Sequence, residues 1–181
     1  MNLTEKTLSQ QYIFEGKILK MRLDEALLPD GTVAGREVVE HPGGVAVAAL
    51  TEDDCLLFVR QFRYPYGEII PEIPAGKRAP GEEPLTTGKR ELKEETGYTA
   101  AHYRSLGRVY PSPGYFNEVI YIYLATDLVA GEDAPDEDEF LEVEKIPLTK
   151  AVDMVMKDEI TDAKTQAAVL KVWHLRQSGE I

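Results

Sequence analysis

Three glutamates in one short stretch carry the strongest chemical signal in the chain. In the run GKRAPGEEPLTTGKRELKEETGY, residues 76–98, Glu91 and Glu95 stand four apart, with Glu94 between them. A helix through this run puts the carboxylates of Glu91 and Glu95 on one face, a turn apart, with Glu94 close by. Like charges at that spacing oppose the helix by about 0.2–0.5 kcal/mol. Arg90 can offset Glu94, its i+4 neighbour, but Glu91 and Glu95 have no such partner within the helix. A divalent cation resolves the repulsion, because Mg2+ takes hard oxygen ligands and needs only a few carboxylates besides water and substrate phosphate. Glu82 enters from the preceding loop and can brace Arg90 or add charge. Gly76 lets the backbone approach closely, so the carbonyl of Ala75 can supply a further ligand oxygen. Taken alone, the Glu91/Glu95 pair also fits a solvated acidic helix face.

Such side chains need a helix, a preceding loop and strands to hold them. Pro84 suits the first helical turn, and Gly97 suits the residue just past the end. Before the helix, a Pro- and Gly-rich loop over residues 64–84 is interrupted by the extended piece Glu72-Ile73-Pro74. Residues 45–50 and 56–62 are short apolar runs around a polar turn and read as a buried hairpin. Residues 19–24 alternate apolar and charged, and residues 36–40 return after the turn Pro29-Asp30-Gly31, giving an N-terminal β-hairpin lobe. Further strands are expected over residues 103–110, 118–126 and 141–146, and helices over 149–157 and 162–176. The pattern predicts an α/β (α+β) protein with a mixed β-sheet between helices. The domains are expected at 1–41, an N-terminal β lobe suited to dimerisation, and 42–181.

The chain has 181 residues, 43% hydrophobic and 29% charged, enough for a packed core. Its 20 Lys+Arg against 32 Asp+Glu leave a formal net charge of −12. That surface repels nucleic-acid backbones and anionic membranes, and no window is rich in Lys and Arg. No apolar run reaches the ~18 residues of a membrane span, and the N-terminus MNLTEKTLSQQ lacks an export signal. The lone Cys55 can form no internal disulfide and suits a reducing compartment, so the expected location is cytoplasmic. His41, His102 and His174 are scattered without ligand spacing. Trp173, with Ala167 and Leu170, reads as core or dimer packing.

Gly76, Glu82, Arg90, Glu91, Glu94, Glu95 and Gly97 fit the spacing G-x5-E-x7-R-E-U-x-E-E-x-G-U, where U is bulky and apolar. This resembles the box of the Nudix hydrolases, with aromatic Tyr98 where an aliphatic residue is more usual. Outside the box, the chain is similar to the ADP-ribose pyrophosphatase group. Pro113 stands sixteen residues after Gly97, and Gln61-Phe62-Arg63 and Glu72-Ile73-Pro74-Ala75-Gly76 resemble that group's substrate strands. The resemblance implies a Nudix fold and metal-dependent cleavage of ADP-ribose to AMP and ribose 5-phosphate. The alternatives are a broader nucleotide-sugar or dinucleotide pyrophosphatase, GDP-mannose included, and a non-catalytic ADP-ribose-binding regulator. It implies Mg2+, with Mn2+ possible, on Glu91, Glu95, the carbonyl of Ala75, Glu94 and Glu139.

Two loops compete to supply the general base. By the resemblance, Glu137 in the acidic loop 136–139 aligns the attacking water, and Glu118 is the rival. Glu118 can also contact the terminal ribose or a metal, or merely begin a strand. Arg63 and Arg36 suit the diphosphate, since guanidinium matches phosphate oxygens with paired donors. Glu72 is placed to accept a hydrogen bond from adenine, and Pro113 and Gly114 line the substrate. Phe14 or Ile18 are candidates to stack on adenine. In related enzymes that lobe comes from the second subunit, which implies a homodimer with an exchanged N-terminal lobe.

Overall fold

A computed structural model describes residues 2–131 and 140–181. The chain divides into two units: the first takes in residues 1–43 and 110–119, the second residues 44–109 and 120–181.

The first unit is built on β1 (Lys6–Glu15), β2 (Lys20–Leu27) and β3 (Val33–Glu40), an antiparallel meander in that order. The expected hairpin is β2 and β3, joined through Asp30, whose carboxylate accepts from the Thr32 N–H and hydroxyl at 2.9 and 2.7 Å. The third strand, β1, does not show in the sequence pattern. Register shifts between Thr7 and Ser9 and between Tyr12 and Phe14 break its alternation, and all ten of its residues are exposed. Residues 110–119 attach to β3: the Val39 N–H donates to the Tyr115 carbonyl, and the Asn117 N–H to the Val39 carbonyl.

In the second unit, β4 (Gly44–Ala49), β7 (Ala75–Lys77), β8 (Tyr98–Val109) and β9 (Ile120–Ala130) form one sheet in the order β7-β4-β9-β8. Only the β4–β9 pair is parallel, so the sheet is mixed. The strands β5 (Cys55–Arg63), β6 (Glu68–Glu72) and β10 (Leu141–Pro147) form a second, antiparallel sheet in the order β10-β5-β6. The hairpin expected from residues 45–62 is therefore split between two sheets, its strands meeting only at a bridge from Leu50 to Leu56. Both edges of β4 are taken by β7 and β9, so β5 must pair elsewhere.

The pleat of β4 divides the core. Val47 and Ala49 pack with Leu57, Leu92 and Ala125 on the side of α1 (Pro84–Thr96). Ala46, Ala48 and Leu50 pack with Phe58, Ile73, Val169 and Val172 on the side of α3 (Ala163–Gln177), which lies beside α2 (Leu148–Met156). Helices thus cover both faces of a mixed sheet, as the sequence pattern predicts. Ala167 and Trp173 pack against this core, whereas Leu170 is 41% exposed. Pro84 opens α1, and Gly97, at φ 73°, closes it by donating its N–H to the Lys93 carbonyl at 2.9 Å. Among the described residues no helix is long and apolar enough to cross a membrane.

Candidate active site

Buried Leu92 anchors α1 in the core and turns Glu91 and Glu95 toward the strap formed by Ala75 and Gly76. Glu95 Oε2 accepts the Ala75 N–H at 3.0 Å. The Glu91 carboxylate lies over Gly76 where a β-carbon would stand, so no other residue type fits position 76 without displacing Glu91. Both glutamates are buried.

Arg90 ties these acids together. Its Nη2 lies 2.8 Å from Glu91 Oε1, its Nη1 donates to Glu94 Oε2 at 2.7 Å, and its Nε reaches Glu82 Oε1 at 3.5 Å. The sequence left Glu82 and Glu94 as alternative partners, and Arg90 engages both. It also pairs with Glu91, which the helix-spacing rule does not anticipate for adjacent residues. Burial alone would lower the Arg90 pKa, but Glu82, Glu91 and Glu94 outweigh it and hold the guanidinium charged. Glu82 is fixed in turn by the Ala79 N–H at 3.1 Å, and that bond with Thr87 and Arg90 holds its carboxyl below the ordinary range.

A second cluster lies at the start of the strap. Arg63 donates through Nε and Nη2 to the two oxygens of Glu72, at 2.5 and 2.9 Å. Glu72 is only 3% exposed, and its Oε2 also receives Lys164 Nζ. Burial by itself raises the Glu72 pKa; Arg63 and Lys164 overcome it and keep the carboxylate ionised. Lys164 also reaches Asp162 Oδ1 at 3.0 Å, and Asp162 caps α3 by accepting the Thr165 N–H at 2.9 Å. The Thr165 hydroxyl accepts the Ile73 N–H at 3.0 Å. Lys164, Asp162 and Thr165 were not foreseen from the sequence. Glu72, expected at adenine, has both oxygens engaged by cationic side chains.

Other expected residues belong to the first unit. Arg36 binds Glu5 through Nε and Nη2 at 2.9 and 2.6 Å. Glu118 Oε1 lies 3.1 Å from His41 Nδ1, and Pro113 and Gly114 stand in the turn before it. Phe14 and Ile18 are exposed. Glu137 and Glu139 lie outside the described residues. Cys55 has no catalytic setting: burial, with the charge of Asp53, pushes its thiol pKa up.

The donor set around the strap suits a hard divalent cation. Among the described residues no three His, Cys, Asp or Glu side chains form a cage by themselves. Glu91 and Glu95 instead flank a strap of backbone, a pattern suited to a cation that completes its shell with water and substrate oxygen.

Residues 40–169 match the profile described as NUDIX domain. The chain belongs to the Nudix family. In this Nudix hydrolase, residues 5–39 also match the profile described as nucleoside diphosphate sugar hydrolase N-terminal domain. It is 44% identical over 170 residues to ADP-ribose pyrophosphatase of Bacillus subtilis, covering 93% of this chain and 92% of that protein. It is 41% identical over 167 residues to the methanol dehydrogenase activator of Bacillus methanolicus, covering 91% of this chain and 90% of the relative. A solved structure described as an ADP compounds hydrolase shares its fold, with TM-score 0.86, 23% identity and full coverage of both chains. Nudix hydrolases generally need a divalent metal, and the acidic strap suits one.

Proposed function

We propose that this Nudix hydrolase cleaves the diphosphate of ADP-ribose to AMP and ribose 5-phosphate, using Mg2+ or Mn2+, in the cytoplasm. The observation that carries this reading is the seating of Glu91 over Gly76 with Glu95 on the Ala75 N–H, which gathers oxygen donors beside one backbone strap. The identity to the Bacillus subtilis ADP-ribose pyrophosphatase supports the choice of substrate.

Glu91, Glu95, the carbonyl of Ala75, Glu94 and Glu139 would hold the metal. When bound, the metal supplies charge neutralisation at the diphosphate and a more acidic water. Arg90 keeps Glu91 and Glu94 in register, and Arg63 offers the diphosphate paired donors. Glu137 aligns the attacking water and takes its proton, with Glu118 as the rival base. Arg36 offers the diphosphate a further pair of donors, and Pro113, Gly114 and Glu118 are the remaining substrate contacts in this reading. Glu72 serves the site as the anchor of Arg63.

The working form in this reading is a homodimer with exchanged N-terminal lobes. Its support is the exposed edge strand β1, with Leu8, Tyr12, Ile13 and Phe14 all open to solvent. Residues 1–41 are the dimerisation lobe and 42–181 the hydrolase domain.

The Bacillus methanolicus relative favours a second reading, in which the chain acts on a dehydrogenase partner. Incubation with ADP-ribose, GDP-mannose and dinucleotides, with Mg2+ and then with EDTA, separates the readings. AMP release from ADP-ribose that EDTA abolishes is the expected result. A hundredfold preference for another substrate refutes the ADP-ribose assignment. No product from any substrate favours the regulator.

A further inference from the structure

Arg63 spends one edge of its guanidinium on Glu72 and keeps the other for substrate. Its Nε and Nη2 form a fork on the Glu72 carboxylate, and among the described residues its Nη1 makes no hydrogen bond. An Arg held this way is orientated without being used up, since the Nη1 side still has donors in a fixed plane.

A carboxylate paired with a single arginine would, however, cancel that arginine's charge. The structure answers this with a second cation. Lys164 Nζ reaches the same Glu72 oxygen as Arg63 Nη2, and its side chain is only 11% exposed. Four charges then alternate from strand to helix: Arg63, Glu72, Lys164 and Asp162. With Lys164 present the four charges sum to zero and Glu72 is shared between two cations; without it Arg63 faces Glu72 and Asp162 in a cluster one unit negative, which weakens its field toward an anion.

The same helical turn also fixes the backbone that leads to the box. Residues 72–76 are tethered in succession. Glu72 is held by Arg63 and Lys164, the Ile73 N–H by Thr165, and the Pro74 carbonyl by the Val47 N–H at 2.8 Å. The Ala75 N–H is held by Glu95, and Gly76 sits under Glu91. The first turn of α3 is thereby bound to one end of the strap and α1 to the other.

We propose that Lys164 is a positioning residue for the diphosphate-binding guanidinium of Arg63, acting through Glu72. This rests on the reading that Arg63 meets the substrate diphosphate.

The test is a cycle of variants in the full-length protein: Lys164→Met, Lys164→Arg, Arg63→Gln, and Lys164→Met combined with Arg63→Gln. Lys164→Met should raise KM for ADP-ribose about tenfold while kcat changes less than about threefold, and Lys164→Arg should recover most of the loss. In the Arg63→Gln background, Lys164→Met should add less than about twofold. Calorimetric titration with ADP in EDTA gives a readout independent of turnover, and Lys164→Met should weaken it about tenfold. Should Lys164→Met fail to fold, Lys164→Gln keeps a hydrogen-bond donor toward Glu72 without the charge and should raise KM about tenfold in the same way. Unchanged KM and ADP affinity in the folded variants overturn the proposal, as does an equal effect with and without Arg63. If the parent protein does not turn over ADP-ribose, the substrate reading falls, and ADP affinity still decides the role of Lys164.

Discussion

Gly76→Ala is the smallest change that tests the site. The backbone at residue 76 lies outside the left-handed region, so alanine brings no conformational penalty there. The whole effect comes from one methyl group placed where the Glu91 carboxylate now stands. Ordinary van der Waals separation is about 3.5 Å, so the carboxylate must move by well over an ångström. That movement breaks the 2.8 Å contact between Glu91 and Arg90. Misplacing a catalytic group by about 1 Å costs on the order of a hundredfold, so kcat for ADP-ribose with Mg2+ should fall at least about that much. Overpacking should cost about 1–3 kcal/mol of stability, leaving a folded protein with a lower melting temperature. AMP release measured by chromatography, beside a circular-dichroism melt, separates the two effects. Gly35→Ala is the control: Gly35 has open space around it, and stability and rate should be nearly unchanged. Activity of Gly76→Ala within about threefold of the parent would refute the cradle, and with it Glu91 as a metal ligand seated on backbone.

Glu137→Gln should lower turnover more than about tenfold with ADP-ribose binding largely intact, whereas an unchanged rate transfers the role of base to Glu118 or elsewhere. Millimolar Mg2+ should raise the melting temperature of the parent and not that of Glu91→Gln combined with Glu95→Gln; differential scanning fluorimetry with and without EDTA reads this, and an equal rise in both would place the cation elsewhere. Burial raises the Glu72 pKa, but Arg63 and Lys164 bring it below the ordinary value of 4.5. Its folded-state pKa is thus the lower one, so its contribution to stability is complete above about pH 4.5 and is lost as pH falls through the folded value. Melting temperatures from pH 7 down to 3 should therefore fall less steeply for Glu72→Gln than for the parent, and parallel curves would show that the pair is not linked to stability.

The parts of the site that the sequence reveals are those made by near neighbours. Glu91, Glu94 and Glu95 are ordered by helical period, and Gly76, Glu82 and Arg90 by fixed spacing, so their grouping follows from one loop and one helix. The Glu72 cluster is different in kind. Lys164 and Thr165 stand 92 residues from Glu72 and Ile73, and in the sequence they are a lysine and a threonine at a helix start. Only the packing of α3 on the sheet makes Lys164 the partner of a buried carboxylate. Distance hides His41 in the same way: it is one of three scattered histidines in the sequence, yet it stands beside Glu118. Strand partners are equally non-local. The turn at residues 51–55 looks like a hairpin, and the hydrogen-bonding edges of β4 are claimed instead by β7 and β9.

The acid excess has a structure that the net charge of −12 conceals. The box glutamates do not present bare negative charge, since Arg90 reaches Glu82, Glu91 and Glu94 at once. Glu72 is met by two cations. Arg90 compensates the box acids from within α1, whereas both oxygens of Glu72 are taken by Arg63 from β5 and Lys164 from α3. A long polyanion would still meet the unscreened acidic exterior, whose repulsion is summed over its length. A small diphosphate need cross that exterior only once. In the proposed site it would meet the Nη1 side of Arg63, which makes no hydrogen bond among the described residues, and a divalent cation bound there would reverse the local sign of the field. An acid excess that would repel nucleic acid is therefore compatible with a single phosphorylated metabolite, provided that metal and guanidinium meet it together.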